Sequence, residues 1–132
     1  MVYLVDDDID DLEILQEALV HNNYYGPVKT VLNGKMLMDE LFESKKPEVI
    51  VLDLNMPLKN GFEVLRELKS SPELKGIPVI VLTASTNATD RAKCVNLGCN
   101  FFFNKPDSLT GYDRIAAEVK KYTGRHRENP RS

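Results

Sequence analysis

Cysteine, excess positive charge and long apolar runs are all scarce in this chain of 132 residues. The two cysteines, Cys94 and Cys99, have no histidine nearby, so they make neither a zinc-binding signature nor a disulfide framework. No apolar run approaches the ~20 residues of a membrane-spanning helix, and the acidic N-terminal region lacks the basic segment of a secretory signal. We therefore expect a cytoplasmic protein with reduced thiols and no membrane contact.

The charge balance and the length limit the partners and the number of domains. The chain has 17 basic and 20 acidic residues, a net charge of -3, which gives no general reason to expect nucleic-acid binding. A chain of this length fits one domain with its own core. We assign that domain to residues 1–123 and expect the polar residues 124–132 to form a disordered tail.

Five short apolar runs predict β-strands, and the nearly continuous ones indicate strands that are buried on both faces. Such strands are typical of a parallel sheet that is covered by helices. The second run is more mixed, which favours an edge position. The runs are VYLV (2–5), VKTVL (28–32), VIVLD (49–53), PVIVL (78–82) and FFF (101–103).

Amphipathic stretches follow each of these runs and predict five helices, at about 9–22, 34–44, 60–70, 86–97 and 111–122. Asp8 is expected to cap the first helix and Gly98 to end the fourth. The alternation predicts an α/β fold with a five-stranded parallel sheet and helices on both faces. Right-handed crossovers favour the flavodoxin-like strand order 2-1-3-4-5, in which strands 1 and 3 border the ligand-binding crevice.

Polar side chains follow four of the five predicted strands. Asp6 and Asp7 follow the first strand, Asp53 ends the third, Thr83 follows the fourth and Lys105 follows the fifth. Because parallel strands all end at the same edge, we expect these groups to converge. Three carboxylates and one lysine leave a charge that one Mg²⁺ would balance. A carboxylate beside a metal and a lysine can act as a nucleophile in aspartyl-phosphate formation.

The sequence resembles the receiver domain of bacterial two-component response regulators. The resemblance covers nearly the whole chain, about residues 1–123, and depends on four segments. They are LVDDD (4–8), VLDLNMPLKNGFEVL (51–65), VIVLTAS (79–85) and FFFNKP (101–106). No recognisable output domain follows, so we expect either a stand-alone receiver or a piece of a longer protein.

The resemblance implies a phosphoacceptor and a metal site. Asp53 would accept a phosphoryl group from a histidine kinase or a phosphotransfer protein. Asp7 and Asp53 would bind Mg²⁺ directly, together with the backbone carbonyl of Asn55, and Asp6 would contribute through a metal-bound water. Mn²⁺ could replace Mg²⁺ in this site.

The resemblance also implies roles for residues that follow the last two strands. Lys105 would pair first with the phosphoacceptor and then with the phosphoryl group. The Thr83 hydroxyl and the Ala84 amide would bind phosphoryl oxygens. The peptide bond between Lys105 and Pro106 is expected to be cis. Beyond self-catalysed phosphoryl transfer and dephosphorylation, we expect no enzymatic activity.

Phe102 matches the family's aromatic switch position, three residues before the lysine. Phosphorylation would draw Thr83 inward, Phe102 would rotate into the space, and the surface of helix 4, strand 5 and helix 5 would change. That surface would then bind an unknown downstream protein or a second copy of the chain. Core packing remains open for Phe102, because alternation places it opposite Phe101 and Phe103.

Two other functions remain open. A receiver-like module could bind proteins without phosphorylation. A small phosphatase of the haloacid dehalogenase type also uses an aspartate nucleophile, Mg²⁺, a hydroxyl and a lysine. That family carries a second aspartate two residues after its nucleophile, whereas Asn55 occupies the corresponding position here.

Five aspartates lie within six positions near the N-terminus, and we divide them between two tasks. Asp6 and Asp7 belong to the predicted metal site. Asp8, Asp10 and Asp11 belong to the start of helix 1, where a cap and the helix dipole favour acids. Substitution of Asp11 by asparagine is therefore expected to leave Mg²⁺ binding almost unchanged.

Overall fold

A computed structural model describes residues 1–43 and 46–124 of the chain. Within these ranges, five strands alternate with five helices, as the sequence pattern predicts. The strands are β1 (Val2–Val5), β2 (Val28–Val31), β3 (Val49–Leu52), β4 (Val79–Thr83) and β5 (Phe101–Asn104). The helices are α1 (Ile9–His21), α2 (Gly34–Glu43), α3 (Gly61–Ser70), α4 (Ala88–Leu97) and α5 (Leu109–Lys120).

The strands form one parallel sheet in the order β2-β1-β3-β4-β5. This confirms the predicted topology. β1, β3 and β4 are buried along their whole length, whereas β2 is a partly exposed edge strand. Val5 lies opposite Leu52 and Thr83 lies opposite Asn104. The register therefore brings the ends of neighbouring strands to one edge of the sheet.

Two apolar clusters lie on opposite faces of this sheet, because successive strand residues point to opposite sides. Tyr3 and Val5 belong to the cluster that also contains the buried residues of α2 and α3. Val2 and Leu4 belong to the cluster with the buried residues of α1 and α5. Each fully buried aliphatic side chain contributes roughly 1.5–3 kcal/mol, so the two clusters hold the strand ends in fixed positions.

Local capping fixes the start of α1 and the end of α4. The Asp8 carboxylate accepts hydrogen bonds from the backbone of Asp10 at 3.0 Å and of Asp11 at 3.3 Å. Gly98 ends α4 with a left-handed backbone, φ 103°. Both predicted caps are therefore confirmed. No helix in the described ranges is long and apolar enough to cross a membrane.

The predicted cis bond between Lys105 and Pro106 is wrong. Every peptide bond between described residues is trans. The trans form is the ordinary preference of an X-Pro bond by about 0.5–1 kcal/mol. Here the Lys105 N–H extends the β4–β5 pairing by donating to the Thr83 carbonyl at 2.8 Å. Except for Gly124, the predicted tail lies outside the described residues.

Candidate functional site

Three carboxylates meet at the end of the neighbouring strands β1 and β3. The Asp53 N–H donates to the Val5 carbonyl at 3.0 Å, which fixes the start of the loop after β3. Asp6 and Asp53 are buried, with 6% and 5% of their surface exposed, whereas Asp7 is exposed. One carboxylate oxygen of each lies within 4.8 Å of the others. The predicted convergence of these three acids is therefore observed.

Lys105 reaches this group from the far side of the crevice. Its Nζ lies 2.7 Å from Asp11 Oδ2, 2.8 Å from Asp6 Oδ2 and 3.5 Å from Asp53 Oδ2. Burial alone would lower the pKa of Lys105, but hydrogen bonds to Asp11 and Asp6 and the charge of Asp53 outweigh burial and raise that pKa. The lysine is therefore held in its charged form.

Burial has the opposite consequence for Asp6. Loss of water raises the pKa of this carboxyl group to about 6, and the negative charge of Asp53 adds to the rise. The Lys105 ammonium and the Asp8 backbone N–H oppose it, but only in part. Asp6 therefore takes up a proton at a higher pH than an ordinary aspartate does, and a cation bound nearby would favour its ionised form.

Asp11 is the site residue that the sequence interpretation missed. We assigned it only to the first turn of α1, yet its carboxylate makes the shortest contact to Lys105. A signal was present: Asp11 begins the stripe that continues through the buried residues Leu15 and Ala18, at positions i+4 and i+7. A charged side chain at the head of a buried stripe points towards the sheet, not into solvent.

Uncharged groups line the other side of the crevice, after β4. Thr83 is fully buried, and its Oγ1 accepts a hydrogen bond from the Ser85 N–H at 3.3 Å. Ala84 lies between them and is exposed. Asn55 is also exposed, and its N–H points to Asp53 Oδ1 at 3.4 Å. Thr83 and Ala84 thus lie at the end of β4, the strand that pairs with β3, and the described contacts include no bond from them to the acids.

Ser85 holds the loop between β4 and α4 in place. Its Oγ donates to Asp90 Oδ2 at 2.6 Å and accepts the Asn87 N–H at 3.3 Å. The Asn104 side-chain amide donates to the Ser85 carbonyl and, at 3.4 Å, to the Thr83 carbonyl. We call Thr83, Ser85 and Asn104 the hydroxyl side of the crevice. We call Asp6, Asp7, Asp11 and Asp53, with Lys105, the acidic side.

The donor set of the acidic side fits a divalent cation. Mg²⁺ and Mn²⁺ prefer oxygen ligands, usually one or two carboxylates together with water. Four carboxylates and one ammonium carry a formal charge of -3. A divalent cation would reduce this charge, and the exposed carboxylate of Asp7 leaves a route to it from solvent.

Comparisons with known proteins agree with this fold. The family model for the response regulator receiver domain matches residues 2–115. The chain belongs to this family. Response regulator Rcp1 from Synechocystis sp. is 32% identical over 128 residues, which cover 92% of this chain and 87% of that protein.

Two solved structures are also similar to this receiver domain. The phosphorylated cyanobacterial phytochrome response regulator RcpA is 34% identical, with a TM-score of 0.84 over 98% of this chain and 96% of that one. The Mn²⁺-bound form of Rcp1 is 31% identical, with a TM-score of 0.79 over 98% of this chain and 95% of that one.

The aromatic residues of β5 divide between the two faces of the receiver domain, as alternation predicts. Phe102 is 8% exposed and lies in the cluster that contains Cys94, with the Arg91 guanidinium 5.3 Å from its ring centre. Phe101 and Phe103 stack on each other with ring centres 5.1 Å apart. The observed position of Phe102 is that of a core residue, and its rotation stays a prediction.

The loop after Asp53 approaches the receiver site closely. Leu58 has a left-handed backbone, φ 69°, and the Lys59 N–H donates to the Pro57 carbonyl at 2.7 Å. A tight three-residue turn of this hand is rare and strained. A Cβ on Gly61 would lie 2.6 Å from the Asp53 carbonyl oxygen, so only glycine fits there. The glycine therefore allows the start of α3 to lie close to the Asp53 backbone.

Proposed function

We propose that this receiver domain is a phosphoacceptor switch in which Asp53 takes a phosphoryl group from a histidine kinase or a phosphotransfer protein. The observation that carries the proposal is the surroundings of Asp53. Its buried carboxylate has oxygens of Asp6 and Asp7 within 4.8 Å and the Lys105 ammonium at 3.5 Å. Phosphoryl transfer depends mainly on positioning and on neutralisation of charge, and this site offers both.

The chemical step uses groups that the chain places at the crevice. An Asp53 oxygen attacks phosphorus as the P–N bond of a phosphohistidine breaks. The electron pair of that bond leaves with the imidazole ring, which takes a proton. Lys105, the Thr83 hydroxyl and the Ala84 N–H would bind the oxygens of the transferred group. The buried surroundings of Asp53 would limit hydrolysis of the acyl phosphate by water.

Asp7, Asp53 and the Asn55 carbonyl would bind Mg²⁺ directly, with Asp6 acting through a water. The metal would supply positive charge opposite the phosphoryl oxygens. The Mn²⁺-bound form of Rcp1 supports this part of the proposal, and Mn²⁺ is an alternative ion here.

The proposed output is a change of the surface formed by α4, β5 and α5. Thr83 precedes the loop to α4, and Phe102 packs beneath Arg91 of that helix. Movement of the Thr83 hydroxyl towards a phosphoryl group would therefore disturb the contacts of α4. A downstream protein, or a second copy of the chain, would bind the altered surface. Because histidine kinases use ATP, this function also implies a cytoplasmic location.

Phosphorylation by a small-molecule donor tests the proposal. Wild type, Asp53→Asn and the control Asp39→Asn, an exposed position on α2, are treated with acetyl phosphate and Mg²⁺. We expect intact-mass measurement to find one phosphoryl group on wild type and on Asp39→Asn, none on Asp53→Asn, and none after chelation of the metal. No incorporation into wild type, or equal incorporation into Asp53→Asn, would contradict the proposal.

The same samples distinguish the two alternatives. A small phosphatase would release phosphate from a generic phosphate ester over many turnovers, whereas a receiver transfers a phosphoryl group to itself only and then loses it. A module that binds proteins without phosphorylation would bind no Mg²⁺ at this site. The complete acidic side, with Lys105 in contact with three carboxylates, favours the phosphoacceptor.

A further inference from the structure

We propose that Asp11 is a positioning residue that holds the Lys105 ammonium away from Asp53, so that it favours metal binding and opposes retention of the phosphoryl group. This inference rests on the proposed function of the site. The distances carry it. Lys105 Nζ lies at 2.7 Å and 2.8 Å from Asp11 and Asp6, the range of strong charge-assisted hydrogen bonds, but at 3.5 Å from Asp53.

The position of Asp11 has no explanation in the stability of α1 alone. Asp8 caps the helix and Asp10 already supplies an exposed acid to the first turn, where the dipole favours one. The Asp11 side chain is only 23% exposed. It lines a small cavity together with Asp6, Asp53 and Leu82. Asp11 therefore faces the phosphoacceptor and not the solvent.

This arrangement leaves the Asp53 carboxylate weakly bonded. Its side-chain contacts to the Lys105 ammonium and to the Asn55 N–H are both long, at 3.5 Å and 3.4 Å. Its oxygens therefore remain available to a metal and to an incoming phosphorus atom. If Asp11 did not hold the ammonium, Lys105 would move closer to Asp53 and compete for the same oxygens.

A phosphoryl group on Asp53 reverses this balance. It adds negative charge beside Asp11 and draws the Lys105 ammonium towards itself, away from the Asp11 carboxylate. Asp11 therefore has two opposite effects on the site. It strengthens binding of a cation to the unphosphorylated protein, and it weakens retention of a phosphoryl group once the metal is bound.

The isosteric substitution Asp11→Asn separates these effects. In contrast to the sequence-based expectation of almost no change, the contact of Asp11 with Lys105 leads us to expect a rise of about fivefold in the Kd for Mg²⁺, because a negative charge is lost and Lys105 is released towards Asp53. At saturating Mg²⁺, we expect Asp11→Asn to lower the Kd for beryllofluoride, a phosphoryl analogue, about threefold to fivefold. Loss of structure alone would weaken the binding of both ligands. Changes of opposite sign in the two Kd values therefore distinguish a positioning role from loss of structure.

Two matched variants complete the experiment. Asp10→Asn removes the same charge from the same turn, but Lys105 pairs with Asp6, Asp11 and Asp53 and not with Asp10. We expect both of its affinities to stay within about twofold of wild type. Asp11→Glu keeps the charge, and we expect it to restore both affinities. The inference is overturned if Asp11→Asn behaves like Asp10→Asn, if both ligands shift in the same direction, or if Asp11→Glu behaves like Asp11→Asn.

A metal-free measurement separates this inference from the proposed function. In a double-mutant cycle of Asp11→Asn and Lys105→Met, we expect the two effects on the unfolding equilibrium to be non-additive by a factor of about five. Additive effects would show that the contact contributes nothing. If wild type binds neither Mg²⁺ nor beryllofluoride, the proposed function fails, and the cycle still decides whether Asp11 positions Lys105.

Discussion

The two sides of the crevice are built on different physical principles. The acidic side gathers four carboxylates around the single ammonium of Lys105, with contacts of 2.7–3.5 Å to three of them. The hydroxyl side uses neutral groups: Ser85 donates its N–H to Thr83 Oγ1 and its Oγ to Asp90 of α4, and its carbonyl accepts a hydrogen bond from the Asn104 amide. Both sides belong to one site. Charges hold the acidic side together, whereas hydrogen bonds hold the hydroxyl side together.

This difference indicates how each side responds to change. The free energy of the acidic side depends on how many charges are present, so a metal ion, a proton or a phosphoryl group alters it directly. The hydroxyl side carries no such excess charge, so its response depends on whether the loop after β4 keeps its shape. Phosphorylation would first change the acidic side, and the hydroxyl side would then transmit the change to α4.

The largest effect is expected when the Lys105 ammonium is removed from the acidic side. In Lys105→Met, three carboxylates lose the cation that they share among the described residues, so we expect the free energy of unfolding to fall by about 3 kcal/mol without metal. Urea denaturation measures this loss, and added Mg²⁺ should restore part of it. Lys35→Met is the control, because its ion pair with Asp39 is exposed and should contribute nothing measurable. Equal losses of unfolding free energy in Lys105→Met and Lys35→Met would contradict a special contribution of Lys105.

The substitution Gly61→Ala tests the packing next to the acidic side without changing any charge. A Cβ on Gly61 would lie 2.6 Å from backbone atoms of Asp53 and Leu54, so Gly61→Ala should destabilise the protein by about 2 kcal/mol and shift Asp53. Thermal unfolding measures the loss. Gly76→Ala is the control, since a Cβ there meets nothing within 4 Å. Similar midpoints for the two variants would count against the close approach at Asp53.

The pH should affect the acidic side through Asp6. Its pKa is raised from 3.8 to about 6, so a proton competes with Mg²⁺ as the pH falls through about 6. We expect the apparent Mg²⁺ affinity to fall by up to about tenfold per pH unit below that value. Titrations of Mg²⁺ between pH 5 and 8 measure the effect, and Asp6→Asn should flatten it.

The sign is opposite for the stability of the metal-free protein. Because the folded protein binds the Asp6 proton more tightly than the unfolded chain does, its stability should rise as the pH falls from about 6 towards 4. Urea denaturation of the metal-free protein at the two pH values checks this. If the metal-free protein instead lost stability as Asp6 takes up its proton between about pH 6 and pH 4, the assignment of a raised pKa to Asp6 would be contradicted.

The smallest effect is expected on the hydroxyl side. Asn104→Ala removes the amide that reaches the Ser85 and Thr83 carbonyls, and should cost about 0.5–1 kcal/mol because the side chain is exposed. Since the lost bonds are neutral, added salt should leave this difference unchanged, in contrast to Lys105→Met. Asn104→Asp replaces the donating amide by a carboxylate and should lose more. Chemical denaturation at low and high salt compares the three proteins.

The fold was predictable because its signals are local. Apolar runs and helical stripes depend on residues that are neighbours in the chain, and β1 and the start of α2 have the predicted bounds. The starts of two helices differ from the predicted ones. α4 begins at Ala88 instead of residue 86, because Asn87 caps it, and α5 begins at Leu109 instead of residue 111.

The main site residues were predictable for a topological reason. Asp6, Asp7, Asp53 and Lys105 follow strands, Thr83 is the last residue of β4, and parallel strands end at the same edge. The order of apolar runs along the chain therefore predicts which side chains meet, without any coordinates. The resemblance to receiver domains added the expected role of each.

The sequence by itself thus determined the strand order, the capping of α1 by Asp8 and the convergence of carboxylates and lysine at one edge. Only the tertiary structure decided that Asp11 binds Lys105, 94 residues away, and that Ser85 bonds to both Asp90 and the Asn104 amide. Such contacts depend on the distance between elements that are far apart in the chain and on how closely a loop packs. No pattern of neighbouring residues encodes these quantities, because packing of the whole domain sets them.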